Sequence, residues 1–259
     1  MTEQLTVEVS AGPVEVTRGG EGPPVVYMHS SLGDTWWGSW CDELDRTVYI
    51  PAHPGFAGSG GYGSIDDMED LVFHYDELFD ALGLDTFALV GQSLGGWIAA
   101  EYAVRWPRRV DRLVLVGAAG LRVEGAPVPD MWRQRPPELA ELLFADPNQP
   151  LALMMRSFDR SDPPPEDVLL PFVQAQQTTA RLAWNPYLHD PKLPRRLGRV
   201  TCPSLVVWGA EDRFVPIAHG EEYARLLPEA RLVRVEGAGH LPLMERPAEA
   251  GRAIREHLA

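Results

Sequence analysis

Ser93 sits in Gly91-Gln92-Ser93-Leu94-Gly95-Gly96, between the apolar run Phe87-Ala88-Leu89-Val90 and the helix-like Trp97-Ile98-Ala99-Ala100. A serine forced through one sharp strand-to-helix turn is held clear of the sheet, and glycines on either side leave room for close backbone approach. The pattern G-x-S-x-G alone is weak; this setting makes it specific. A serine hydroxyl is a poor nucleophile at neutral pH and needs a base, which in turn needs an acid to orient it. Downstream, Trp208-Gly209-Ala210-Glu211-Asp212-Arg213-Phe214-Val215-Pro216 offers two acids after an apolar run, and Glu236-Gly237-Ala238-Gly239-His240-Leu241-Pro242 offers a histidine. The order Ser, acid, His suits nucleophilic catalysis on an α/β scaffold. Each residue also has a purely local reading: an N-cap for Ser93, a turn carboxylate before proline, a satisfied turn histidine.

The elements that must carry these residues follow from the pattern of apolar runs. Strands are expected at Leu5–Val9, Val14–Thr17, Val25–Met28, Thr47–Pro51, Thr86–Val90, Arg112–Val116, Ser204–Trp208 and Arg231–Val235. Helical patterns fall at about Ile65–Leu82, Leu94–Arg105, Ala218–Leu227 and Pro247–Leu258. Strands alternating with helices imply an eight-stranded, mostly parallel α/β sheet with helices on both faces. The first two strands are too close for a parallel crossover and should form an antiparallel hairpin at the edge. The long, proline-rich stretch between the sixth and seventh strands needs structure of its own. Residues 121–197 are therefore expected to form an inserted helical cap, with residues 1–120 and 198–259 as the core. In the cap, Pro136 opens one helix with Leu139, Leu142 and Leu143 on a face, and Pro163-Pro164-Pro165 precedes a longer one from Glu166 to about Trp184.

Along nearly its whole length the chain resembles the α/β-hydrolase superfamily. The resemblance rests on G-Q-S-L-G-G, W-G-A-E-D-R-F-V-P, G-A-G-H-L-P-L-M-E-R-P, M-H-S-S-L-G and A-H-P-G-F-A-G-S-G. It implies a triad of Ser93, Asp212 and His240, with Asp212 rather than Glu211 as the acid because the family places its aspartate four residues before a proline such as Pro216. It also implies an oxyanion hole made by the backbone N–H groups of Leu94 and Ser31. The family commonly reads His-Gly-x where this chain reads His29-Ser30-Ser31, so Ser30 is a departure from the pattern. His29 is expected to brace that loop by hydrogen bonding.

Net charge is -14, so the mean surface field disfavours nucleic acid and acidic membranes as partners. The two cysteines, Cys41 and Cys202, lack metal or redox-pair spacing and read as reduced thiols, and the other histidines show no metal-ligand spacing. No metal and no cofactor are expected. With no signal-like N-terminus and no membrane-length apolar run, a soluble cytoplasmic protein is expected. Trp36, Trp37 and Trp40 could line an acyl pocket or simply pack beneath the loop. Met131, Trp132, Met154, Met155 and Phe158 could roof it. The expected activity is hydrolysis of small or medium carboxylic esters through an acyl-enzyme. The alternative within the fold is a C–C bond hydrolase or enol-lactonase; relatives of that kind often carry tryptophan after the catalytic histidine, where Leu241 stands here. A ligand receptor with a vestigial triad is the alternative of another class.

Overall fold

Only Ser10 and Ala11 separate the first two strands, β1 (Thr2–Val9) and β2 (Gly12–Gly19), which pair antiparallel from Thr2↔Gly19 to Val9↔Gly12. The computed structural model describes residues 2–158 and 165–259. Six further strands complete one sheet: β3 (Pro24–Met28), β4 (Thr47–Pro51), β5 (Phe87–Gln92), β6 (Val110–Val116), β7 (Ser204–Gly209) and β8 (Ala230–Val235). Their order is β1-β2-β4-β3-β5-β6-β7-β8. From β4 to β8 all neighbours are parallel, whereas β2 pairs antiparallel with β4 as well as with β1.

Alternate residues of the central strands part to the two faces, as period-2 side chains must. Leu89, Leu113, Leu115, Val206 and Trp208 face one apolar layer with α1 (Met68–Ala81), α2 (Leu94–Arg105) and α7 (Ala218–Leu226). Val90, Val114, Val116, Leu205 and Val207 face the other, built largely on α9 (Pro247–Leu258) through Ala250, Ile254 and Leu258. The first helix starts at Met68 rather than at Ile65, because the Asp67 carboxylate accepts the N–H groups of Glu69 and Asp70 and so caps the helix there.

Among the described residues, the α-helices between β6 and β7 are α3 (Pro136–Leu143), α4 (Pro150–Arg156), α5 (Glu166–Ala183) and α6 (Leu193–Arg196). Pro163 and Pro164, expected to precede α5, lie outside the described residues; Pro165 stands at its N-cap. The ends of this excursion meet where Gly120 donates to Leu188 O at 2.9 Å and accepts from Asp190 N at 3.1 Å. Among the described residues no helix is long and apolar enough to cross a membrane.

Candidate active site

β5 ends at Gln92 and α2 begins at Leu94, so Ser93 alone makes the turn, with φ 55° and ψ -114°. A non-glycine residue at that φ is strained and persists only where its surroundings hold it. Those surroundings are specific: Ser93 N donates to Val116 O at 2.9 Å, and Ser93 O accepts from Trp97 N and Ala119 N. The flanking glycines are required by approach, since a Cβ on Gly91 would lie 2.2 Å from Gly95 O and one on Gly95 would lie 2.0 Å from Met28 O. The Ser93 side chain makes no capping hydrogen bond, so the local N-cap reading does not describe it. Instead Ser93 Oγ lies 2.8 Å from His240 Nε2, across the sheet's C-terminal edge.

His240 Nδ1 lies 2.8 Å from Asp212 Oδ2, and both side chains are buried. Asp212 is itself fixed, because its Oδ1 accepts the N–H groups of Phe214 at 2.9 Å and Val215 at 2.8 Å. Glu211 is exposed and turns the other way, accepting Gly237 N at 3.2 Å. The two candidate acids are therefore separated by geometry. Phe214 sets the edge of its ring against the imidazole at 5.0 Å, and the chain Asp212–His240–Ser93 is continuous.

Leu94, as the first residue of α2, has an N–H with no intrahelical acceptor. Ser31 N likewise meets no acceptor among the described residues. Two such donors beside a serine hydroxyl that faces an imidazole could serve a developing oxyanion. The loop that presents Ser31 is held by a buried polar cluster absent from the sequence reading. Asp34 Oδ1 accepts both Ser30 N, at 2.9 Å, and the Ser30 hydroxyl. Asp34 Oδ2 accepts the Tyr27 hydroxyl and Gln92 Nε2, the latter at 3.3 Å. Ser30 Oγ in turn accepts Leu32 N at 3.2 Å. The side chain that departs from the family's glycine is thus accommodated by a carboxylate four residues on, and the S-S-L-G-D run was the only available signal.

His29 braces the same loop. Its Nε2 accepts His53 N at 2.9 Å, which leaves Nδ1–H to donate to Ser30 O at 2.7 Å. His53 stacks on it at 3.5 Å, donates from Nε2 to His29 O at 2.8 Å, and accepts the Tyr75 hydroxyl on Nδ1. Burial lowers His29 to about 4 and holds His53 well below its ordinary value, with His29 as a second, smaller cause, so both rings are neutral at pH 7. His53, one of the histidines without metal-ligand spacing, is thus buried and fully hydrogen-bonded against the loop of Ser30 and Ser31. His74, by contrast, is buried with neither ring nitrogen partnered among the described residues.

Beside this loop lies a pocket of about 340 Å³ whose walls include Leu32, Gly33, Trp36, Phe56, Met154, Met155 and Phe172. Among the described residues no charged side chain lines it. Of the three early tryptophans only Trp36 reaches it. Trp37 packs over Gly19 and donates to Asp42, and Trp40 packs edge-on against Tyr27 in the core. Of the expected roof, Met154 and Met155 line the pocket, while Trp132 packs against Trp184 and Tyr187, and Phe158 against Phe172. Both cysteines are free and buried, and burial pushes Cys41 up to about 12 and Cys202 up to about 11. Among the described residues no cluster of histidine, cysteine or carboxylate side chains could hold a metal.

Comparison with known proteins agrees with this architecture. A 2-hydroxy-6-oxo-6-phenylhexa-2,4-dienoate hydrolase from Burkholderia cepacia is 29% identical, over 95% of this chain and 91% of that protein. The crystal structure of a membrane phospholipase A, described as a bacterial virulence factor, matches with a TM-score of 0.83 and 25% identity, covering 99% of this chain and 86% of that one. A thermophilic esterase from Thermogutta terrifontis matches with a TM-score of 0.72 and 26% identity, covering 99% and 98%. The family model for the alpha/beta hydrolase fold matches residues 23–247, and the chain belongs to that family of enzymes.

Proposed function

We propose that this chain is a serine hydrolase that acts on a carbonyl carbon through an acyl-enzyme on Ser93, and that the bond it breaks is a carbon–carbon bond of a 2-hydroxy-6-oxo-dienoate type of substrate. The observation that carries the chemistry is the unbroken chain Ser93 Oγ, His240 Nε2, His240 Nδ1, Asp212 Oδ2, with 2.8 Å at each hydrogen bond. The likeness to the dienoate hydrolase, extending over nine-tenths of both chains, supports the substrate class. Ser93 Oγ attacks the ketone carbon while His240 Nε2 takes its proton, and the oxyanion faces the N–H groups of Leu94 and Ser31. The carbon–carbon bond then breaks with its electron pair leaving on the conjugated fragment, which takes up the proton held by His240 and leaves the imidazole neutral. Water, deprotonated by His240, releases the acyl group as a carboxylic acid and returns the proton to Ser93.

Ester hydrolysis by the same residues is the second reading, and two observations favour it. Among the described residues the pocket beside the oxyanion-side loop offers no cation to a dienoate carboxylate, and Leu241 stands where a tryptophan is common in the carbon–carbon enzymes. The test is kcat/KM for a synthetic 2-hydroxy-6-oxo-6-phenylhexa-2,4-dienoate against nitrophenyl esters from acetyl to octanoyl, with wild type and Ser93→Ala. A tenfold or larger preference for the dienoate supports the first reading; the reverse preference supports the second. Failure to cleave either, with no fluorophosphonate labelling of Ser93, would leave a ligand receptor.

A further inference from the structure

The turn between α3 and α4 is hydrogen-bonded directly to the loop that carries His240. His240 N donates to Leu143 O, at the last residue of α3, at 2.8 Å. One residue earlier, Gly239 N donates to Glu245 Oε2 at 2.6 Å. The other oxygen of that carboxylate, Oε1, accepts Ala145 N at 2.8 Å and Asp146 N at 2.9 Å. Glu245 is buried at the end of the short helix α8 (Pro242–Glu245), and among the described residues no cation pairs with it. Its two oxygens accept three backbone N–H groups, from Ala145 and Asp146 on one segment and from Gly239 on the other. The contact is close as well as polar: a Cβ on Gly239 would lie 2.6 Å from Leu143 O and 2.8 Å from Ala145 N.

A buried carboxylate without a counter-ion is costly unless its lone pairs are filled, so separating the two segments leaves either the carboxylate or the N–H groups unsatisfied. We propose that Glu245 is a positioning residue that clamps the His240 loop to the α3–α4 turn, so that the placement of the helices between β6 and β7 and the placement of the general base are one variable. This rests on the reading of His240 as the base for Ser93. The clamp explains why the polar group chosen is an acid: one carboxylate can accept from both segments at once, whereas an amide offers a single acceptor oxygen and must turn its NH₂ toward one of them. It also implies that substrates which shift α3 and α4 alter the rate of the chemical step and not only affinity.

The experiment compares wild type with Glu245→Gln and with Ala145→Pro, which removes one donor from the α3–α4 side and follows a residue already extended, Phe144 at ψ 135°. Measured are kcat and KM on a nitrophenyl ester, the rate of Ser93 labelling by a small fluorophosphonate, and the downfield NMR resonance of the imidazole proton between His240 and Asp212. Both folded variants should lose roughly 10- to 100-fold in kcat and in labelling rate, with KM within about threefold, and should broaden or shift the imidazole resonance. An unchanged resonance and unchanged kcat in either folded variant overturns the clamp. If Glu245→Gln does not fold, Ala145→Pro alone decides. Persistence of activity and labelling in Ser93→Ala would instead remove the catalytic reading on which the clamp depends, and that result is separable from the other two.

Discussion

Replacing Asp212 by asparagine tests the proposed triad in a way the geometry makes sharp. Asp212 Oδ1 accepts two backbone N–H groups, from Phe214 and Val215, at 2.9 and 2.8 Å, while Oδ2 faces His240 Nδ1 at 2.8 Å. In the variant the amide oxygen must stay on the side of the two N–H donors, because the alternative would set an NH₂ against both. The amide NH₂ is therefore driven toward His240 Nδ1 and donates to it. The imidazole proton moves to Nε2, where it faces Ser93 Oγ and cannot accept the serine proton. A wrong-tautomer variant of this kind costs about 10⁴-fold in kcat in an unrelated Ser-His-Asp triad, equivalent to about 5 kcal/mol on the barrier. Stability should change far less, by about 1 kcal/mol, since both backbone donors keep an acceptor. The assay is kcat on a nitrophenyl ester with far-UV circular dichroism and a thermal melt as folding controls. Glu211→Gln serves as the comparison, because Glu211 is exposed and accepts from Gly237 N, away from His240. A folded Asp212→Asn enzyme within tenfold of wild type, or a Glu211→Gln variant more damaged than it, refutes the reasoning.

Acid sensitivity has a predicted source in His74, which burial lowers from 6.5 to about 4. The unfolded chain binds this proton first, so the stability from keeping the ring neutral is present above pH 6.5 and is lost as pH falls toward 4, by up to about 3 kcal/mol. Urea unfolding at pH 7.5 and 5 should show a smaller acid loss in His74→Leu than in wild type, and equal losses would refute the assignment. Met154→Ala, which enlarges the apolar pocket, should shift the preference among acetyl to octanoyl esters by roughly 10- to 200-fold with fluorophosphonate labelling of Ser93 unchanged; uniform loss on every ester would contradict a selective role. Native protein should resist iodoacetamide at pH 8 until denatured, because burial raises both Cys41 and Cys202, and rapid native alkylation of either would contradict that.

The features legible in the amino-acid sequence are those whose cause is local. The strand-to-helix turn at Ser93 is dictated by apolar runs on either side and by glycines at positions 91 and 95, so the elbow and the serine at its apex could be read directly. The β1–β2 hairpin follows from a connection of two residues, the eight strands from short apolar runs, and α1, α2, α3, α5, α7 and α9 from period-3.6 patterning, whereas α4, α6 and α8 are too short to show such a pattern. Helix starts were less legible where a side chain decides, as Asp67 does for α1. Pattern alone left Asp212 and Glu211 open, one residue apart in a turn, and resemblance was needed to choose; in the fold, one carboxylate turns inward onto the N–H groups of residues 214 and 215 and the other outward to Gly237. The clamp of Ser30 by Asp34, Tyr27 and Gln92, the stacking of His29 on His53, and the bridge through Glu245 all join groups brought together by the sheet order or by the α3–α4 excursion. No periodicity encodes such partners. A buried polar atom is satisfied by whichever donor the packed chain delivers to it, and that is settled only when the strands and helices have taken their places.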